Sequence, residues 1–144
     1  MATSLHEQDF YAWTQQQANL LKSGSLTDLD TRYLIEELES MGSREKRELI
    51  NRLSILLAHL LKYQYQPERR SRSWIFTIKN QRFDISELMS DNPSLKPQLN
   101  EKLNNAYKKA IRLAADETGL DESAFPAESP FSLEQVFDET YFPA

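Results

Sequence analysis

Residues 48–63, ELINRLSILLAHLLKY, decide the fold of this chain. Leucines recur in this stretch three or four residues apart, which is the spacing of a helix face and not of a strand. These leucines are Leu49, Leu53, Leu56, Leu57, Leu60 and Leu61. The stripe is too wide for a helix that touches only one neighbour. The pattern therefore predicts a central helix surrounded by others, with these leucines among the most buried side chains.

The remaining sequence carries further helical patterns on both sides of this stretch. The three glycines, Gly24, Gly42 and Gly119, each lie where an apolar pattern stops, a common position just past a helix end. The predicted helices are 4–23, 28–41, 43–65, 73–90 and 94–118. The tail, residues 119–144, is rich in phenylalanine, which indicates packing with one short helix between Ser132 and Phe137. We expect an all-α single domain over residues 1–144, a bundle of about five helices with a packed, mostly irregular tail.

The composition is that of a globular protein, with 40% hydrophobic and 27% charged residues and no cysteine. The absence of cysteine excludes a disulfide framework and any thiolate metal site. The start, MATSLHEQDF, lacks the basic and apolar regions of a secretory signal, and the longest apolar stretch is far shorter than the roughly 20 residues of a membrane span. We therefore expect a cytoplasmic protein that does not bind membranes. Phosphate-loop and dinucleotide motifs are missing too, so no cofactor is expected.

The chain has a net charge of −5, and its charged residues are distributed unevenly along the sequence. Residues 62–82 contain six basic residues and one acid, whereas residues 121–144 contain six acids and no base. We expect the acidic tail to dock on this basic segment, with its phenylalanines supplying the apolar part of the contact. General binding to duplex nucleic acid is not expected, because that affinity depends on neutralising many backbone phosphates.

The segment HLLKYQYQPERRSRSW, residues 59–74, is the strongest candidate site. Arginine beside aromatic residues and serine is typical of phosphate or nucleobase recognition. The candidate binding residues are His59, Lys62, Gln66, Glu68, Arg69, Arg70 and Trp74. In a protein with a surplus of acid, however, a structural role is the preferred interpretation: the arginines would pair with acids of neighbouring helices or of the tail, and Trp74 would anchor the turn in the core.

An acidic cluster in the second predicted helix is a weaker candidate. Glu36 and Glu39 share one helix face, and carboxylates on facing helices can hold a divalent metal ion. The sequence offers no second carboxylate pair, and Glu37 could simply pair with Arg44 or Arg47. We therefore assign no metal, and Glu36 and Glu39 remain candidates only.

Several blocks of sequence carry a family resemblance along nearly the whole chain. In order, they are EQDFYAW, LIEELESMG, LLAHLLKYQYQPERRSRSW, NPSLKPQL, ETGL, FP and PFSLEQVFD. They resemble a bacterial family named domain of unknown function 29. The resemblance implies an all-α fold in a free-standing domain, and it implies no activity and no catalytic residues.

The sequence leaves two functions open. The preferred one is a non-enzymatic module that binds a protein partner or regulates it. The alternative is an activity on a small phosphate-bearing ligand or nucleotide around His59–Trp74, with or without a divalent metal at Glu36 and Glu39. An enzyme-like site would bring His59, Arg69 and Glu36 around one pocket.

Overall fold

The computed structural model describes residues 4–144, and within this range the chain forms helices and no strand. The α-helices are α1 Leu5–Gln8, α2 Phe10–Lys22, α3 Thr31–Tyr65, α4 Arg72–Asp91, α5 Leu99–Thr118 and α6 Leu133–Phe137. The predicted all-α class is confirmed. None of these helices combines the length and the apolar composition that crossing a membrane requires.

Contacts between Cα atoms divide the chain into two compact units, with the boundary between Ser43 and Arg44. Unit 1 is the part up to Ser43, and unit 2 is Arg44–Ala144. Helix α3 begins in unit 1 and ends in unit 2. The single domain predicted for residues 1–144 stays a prediction.

Unit 1 begins with two helices where the sequence predicts one, because Asp9 interrupts the predicted helix 4–23. Asp9 has a non-helical backbone, with φ −150° and ψ 88°, and its Oδ1 accepts a hydrogen bond from the Ala12 N–H at 3.0 Å. An aspartate in this position satisfies a free N–H at a helix start and so begins a new helix. Ser4 caps α1, since its Oγ accepts a hydrogen bond from the Glu7 N–H.

Trp13 is the one fully enclosed apolar side chain among residues 4–43, at 3% exposure. Its Nε1–H donates to Asp30 Oδ2 at 3.2 Å, and the Asp30 N–H donates to Gln17 Oε1 at 2.8 Å. These bonds hold the residue that precedes α3. Helix α3 therefore begins at Thr31, and the predicted start at residue 28 is instead the end of a 3₁₀ turn, Leu26–Asp28.

The predicted helix break at Gly42 is wrong. The predicted helices 28–41 and 43–65 form one helix, α3, and Gly42 does not adopt positive φ. A glycine ends a helix when it takes up the left-handed conformation, whereas in a helix interior it only costs about 1 kcal/mol relative to alanine. Strong helix formers on both sides, such as Met41 and Glu45, outweigh that cost.

Unit 2 is built around the second half of α3. The six leucines of the predicted stripe are all 0% exposed, which confirms α3 as the central helix of this core. The buried residues of α4 and α5 that join this core are Ile78, Ile85, Leu88, Leu99, Leu103, Ala106, Ala110 and Ala114. The three alanines give α5 a narrow face, so that it can approach closely.

The ends of α4 and α5 follow local capping rules. Ser71 Oγ accepts a hydrogen bond from the Trp74 N–H at 3.3 Å, so α4 begins at Arg72, one residue before the predicted start. The predicted helix 94–118 opens as a 3₁₀ helix, Pro93–Gln98, before α5, because Pro97 lacks an N–H and restricts the residue before it. Gly119, at φ 77°, ends α5 as predicted.

The tail is packed, as its phenylalanines predict. Phe125, Phe131 and Val136 are buried in the core of unit 2. The short helix expected between Ser132 and Phe137 is confirmed as α6, where Ser132 and Gln135 form a reciprocal capping box. Each of these two side chains satisfies a backbone N–H that the first turn leaves free.

Basic side chains contact the tail through its main chain. Arg82 donates from Nε to the Val136 carbonyl at 2.8 Å and from Nη2 to the Gln135 carbonyl at 3.1 Å. Arg70 Nη2 donates to the Pro143 carbonyl at 3.4 Å. The predicted docking of the tail on the basic segment is confirmed, although these bonds use carbonyls in place of the expected carboxylates. The last carbonyls of a helix such as α6 have no partner within the helix, so they are available to arginine.

The continuous helix at Gly42 leads to a prediction with a matched control. A Cβ at Gly42 would meet no atom within 4 Å, so Gly42→Ala should raise the free energy of unfolding by about 0.5 to 1 kcal/mol. Gly119→Ala should lower it by about 1 to 2 kcal/mol, because φ there is positive. Denaturant titration of both variants measures the effect. A loss of stability in Gly42→Ala would contradict a continuous α3.

Candidate functional site

The candidate site surrounds the junction between α3 and α4 in unit 2. His59 and Lys62 lie near the end of α3, and Trp74 lies in the first turn of α4. The 3₁₀ helix Pro67–Arg69 joins the two helices and has proline in its first turn. Because Pro67 cannot donate a backbone hydrogen bond, α3 stops before it and the chain turns here.

His59 is half-buried, with its Nδ1–H donating to the Ile55 carbonyl at 2.9 Å. A carbonyl can only accept, so the proton of the neutral ring lies on Nδ1 and Nε2 carries the lone pair. Burial lowers the pKa of His59 from its usual 6.5, and the charge of Lys62 lowers it further. His59 is therefore a neutral ring at pH 7.

Lys62 is a buried ammonium group with two partners. Its Nζ donates a hydrogen bond to Glu117 Oε2 on α5 and lies 5.0 Å from the centroid of the Trp74 ring. The Lys62 side chain is only 6% exposed. A buried charge requires this kind of compensation, so Lys62 ties α3 to α4 and α5.

Arg70 is also engaged within the chain. Its Nε donates to the Tyr63 carbonyl at 2.7 Å, and its guanidinium carbon lies 4.1 Å from the centroid of the Tyr63 ring. Phe142 of the tail packs on the same ring, with centroids 5.5 Å apart. The Arg70 side chain therefore stacks on an aromatic ring and also binds the end of the tail. A planar guanidinium can do both, because its face stacks while its edge donates hydrogen bonds.

Three of the candidate residues lie outside the group formed by the other side chains. Among residues 4–144, Gln66, Glu68 and Arg69 form no side-chain hydrogen bond to that group. Gln66 is 9% exposed, while Glu68 and Arg69 lie on the surface of the 3₁₀ turn. Of the sequence candidates, the structure groups His59, Lys62 and Trp74. It adds Glu117, which no sequence signal connects to Lys62 because 55 residues separate them.

The acidic candidates Glu36 and Glu39 lie in unit 1, where both are exposed. The predicted pairing of Glu37 with Arg44 or Arg47 is wrong, since Glu37 Oε1 pairs with His6 Nε2 at 2.8 Å. The His6 ring is also stacked on Tyr33, with centroids 4.0 Å apart, which fixes it beside Glu37. Across residues 4–144, no three His, Cys, Asp or Glu side chains are grouped as a metal site would require.

Arg82 is a residue whose importance the sequence analysis missed. It is 4% exposed and binds the tail carbonyls described above. A signal was available: Arg82 lies four residues after Ile78 and three before Ile85, on the buried face of α4. A charged residue at such a position predicts a buried structural contact.

A groove of about 490 Å³ between α3 and α5 is lined by none of the nominated residues. Asn51 and Ile55 line one wall, and Lys109, Arg112 and Asp116 line the other. Lys109 Nζ donates to Asn51 Oδ1 at 2.8 Å, which bridges the two helices. The groove has cationic and apolar walls but lacks the paired acid and base of a hydrolytic centre.

Comparison with known proteins decides the family. A family model matches residues 5–142, which is nearly the whole chain. The chain belongs to the family described as Domain of unknown function DUF29. The resemblance noted in the sequence is thereby confirmed. Searches of curated proteins and of solved structures give no match to this DUF29 chain.

The contact between Lys62 and Glu117 in this DUF29 chain can be tested by a double-mutant cycle. Glu117→Gln leaves the buried ammonium without a counter-charge, so the free energy of unfolding should fall by about 1 to 3 kcal/mol. Lys62→Met should cost less, because it removes the buried charge and leaves a half-exposed carboxylate. Denaturant titrations of both variants and of the double variant measure the coupling. Additive losses would show that the two side chains do not interact.

The lowered pKa of His59 predicts a pH dependence of stability. The unfolded chain has the ordinary value near 6.5, so below this pH the unfolded state binds more protons than the folded state. Stability should therefore fall as the pH is lowered from about 6.5 toward the folded-state pKa. The variant His59→Gln should lack this part of the pH dependence.

Thermal unfolding of both proteins at several pH values provides the measurement. The two proteins differ only at residue 59, so the difference between their profiles isolates the contribution of His59. Parallel profiles for wild type and His59→Gln below pH 6.5 would contradict a buried, neutral His59.

Proposed function

We propose that this protein is a non-catalytic interaction module that binds a protein partner through unit 1. The supporting observation is the exposure of large apolar side chains in that unit. Seven of them are between 48% and 73% exposed: Phe10, Tyr11, Leu21, Leu26, Ile35, Leu38 and Met41. Large exposed apolar surfaces are characteristic of binding sites on soluble proteins.

The size of unit 1 adds to this argument. Its described residues, 4–43, bury only Trp13 among their apolar side chains. Chains of about 40 residues rarely bury enough apolar surface to be stable without further support. A partner that covers Ile35, Leu38 and neighbouring residues would bury this apolar surface and so stabilise unit 1.

The charge of unit 1 suggests the chemistry of the partner. Residues 4–43 contain seven acidic and two basic residues, whereas residues 44–144 contain fifteen of each. The entire net charge of −5 therefore belongs to unit 1. Glu39 lies four residues after Ile35 on α3, so its carboxylate is next to one of the exposed apolar side chains. A basic amphipathic helix, with apolar residues on one face and lysine or arginine beside them, matches this surface.

The alternative function, an activity on a phosphate-bearing ligand around His59–Trp74, receives less support from the contacts there. Lys62 and Arg70 already donate to acceptors within the chain. A phosphate would have to compete with Glu117 and with two backbone carbonyls. Of the basic residues in this segment, Arg69 and Arg72 remain exposed, and the contact of an exposed arginine with an anion contributes little free energy.

Binding of a fluorescent helical peptide tests the proposal. The peptide carries leucine on one face and lysine on the other, and a control peptide has glutamate in place of lysine. The full chain should bind the lysine peptide and not the control. The double variant Ile35→Ser, Leu38→Ser should weaken binding by at least about tenfold, while Leu113→Ser in unit 2 should not.

Circular dichroism establishes that each variant is folded, and sedimentation shows whether a second copy of the chain occupies the same surface. A wild-type dimer that the double variant loses would identify a copy of the chain as the partner. The proposal fails if the double variant matches the wild type in both peptide binding and self-association.

A further inference from the structure

One face of α4 carries an alternation of basic and aromatic residues that neither the core nor the candidate site uses. We call it the α4 face, and its residues are Arg72, Phe76, Lys79 and Phe83. They are spaced by four, three and four residues, so they form one row on the helix surface. The next residue of the row, Glu87, is acidic and marks its end.

The aromatic residues of the α4 face lie in solvent. Phe76 is 68% exposed and Phe83 is 62% exposed, and Arg72 and Lys79 are exposed as well. Exposed phenylalanine costs free energy in water, and two on one face are uncommon when the same helix buries Ile78 and Ile85 completely. Exposed aromatic rings beside cations are the arrangement on which the bases of a single strand stack while its phosphates are neutralised.

A groove of about 410 Å³ adjoins the end of the α4 face. It is lined by Lys79, Arg82, Phe83, Glu139 and Thr140. The groove therefore combines an aromatic ring, two cations and hydrogen-bonding groups of the tail.

The buried guanidinium of Arg82 has an unused donor. Its Nε and Nη2 bind the carbonyls of Val136 and Gln135, whereas Nη1 is buried and has no hydrogen-bond partner among the described residues. A buried donor without a partner is costly.

We propose that the α4 face and the adjoining groove bind single-stranded RNA. Bases stack on Phe76 and Phe83, Lys79 contacts a phosphate between them, and Arg72 contacts a phosphate on the far side of Phe76. The Glu139 carboxylate in the groove accepts a hydrogen bond from a ribose 2′-hydroxyl, the group that distinguishes RNA from DNA. Because Glu139 and the neighbouring Asp138 offset part of the positive charge of Arg82, affinity depends on stacking more than on charge. Such a site suits an acidic protein, for which general duplex binding is not expected.

Fluorescence anisotropy with a labelled RNA of about 10 nucleotides and the full chain tests this directly. The wild type should bind the RNA and bind DNA of the same sequence more weakly. The double variant Phe76→Leu, Phe83→Leu keeps apolar side chains and removes the rings, so it should lose at least about tenfold in affinity. The double variant Ile35→Ser, Leu38→Ser, which alters unit 1, should bind RNA normally.

The salt dependence of RNA binding provides a second measurement. A purely structural role of Lys79 would not change it. Each phosphate contact to a single strand contributes about −0.7 to the slope of log affinity against log salt. Lys79→Gln should reduce the magnitude of the slope by about that amount, while Lys96→Gln, an exposed control, should leave it unchanged.

Four results would overturn the proposal: no RNA binding by the wild type, unchanged binding by the leucine double variant, equal affinity for DNA, or capture of a glutamate-rich peptide in preference to RNA. The last would identify the α4 face as a docking surface for an acidic protein. Each variant changes exposed residues, and circular dichroism confirms that it is folded. RNA binding and binding of the lysine peptide respond to different variants, so either proposal can fail while the other holds.

Discussion

The burial of the leucine stripe of α3 is the constraint on which unit 2 depends. Leucines at 0% exposure extend around much of the helix, and each contributes about 1.5 to 3 kcal/mol when it leaves water. One neighbouring helix cannot cover so wide a surface, so α4, α5 and the tail all pack in the same core. This explains why an acidic tail with several prolines is ordered, since Phe125, Phe131 and Val136 complete that core.

The burial of Lys62 and Arg82 and the partial burial of Arg70 follow from the same packing. Lys62, Arg70 and Arg82 extend from helices or turns that the core brings together, and each finds acceptors on another part of the chain. The basic segment thus serves the fold, because a buried positive charge without acceptors would destabilise it. Lys62 and Arg70, which the sequence presents as candidate ligand-binding residues, instead connect the helices with one another and with the tail.

The surfaces proposed for binding are those that the core leaves unused. Unit 1 exposes apolar residues among carboxylates, while the α4 face exposes phenylalanine among cations. These surfaces have opposite charge and suit partners of opposite charge. Under the two proposals together, the chain would bring a protein partner and an RNA together.

Sequence alone determined the all-α class, the leucine core, the end of α5 at Gly119 and the short helix that Ser132 begins. These features depend on periodicity and capping within one or two helical turns, where the interacting residues are neighbours in sequence. It also grouped His59, Lys62 and Trp74, because they lie close to one turn. Only the tertiary structure decided the contacts of Glu117 and Arg82, the exposure of Phe76 and Phe83, and the continuation of α3 through Gly42. The contacts and exposures depend on packing between segments that are distant in sequence. The continuation of α3 depends on a balance between the free-energy cost of Gly42 and the helix propensity of its neighbours, which the position of the glycine alone does not reveal.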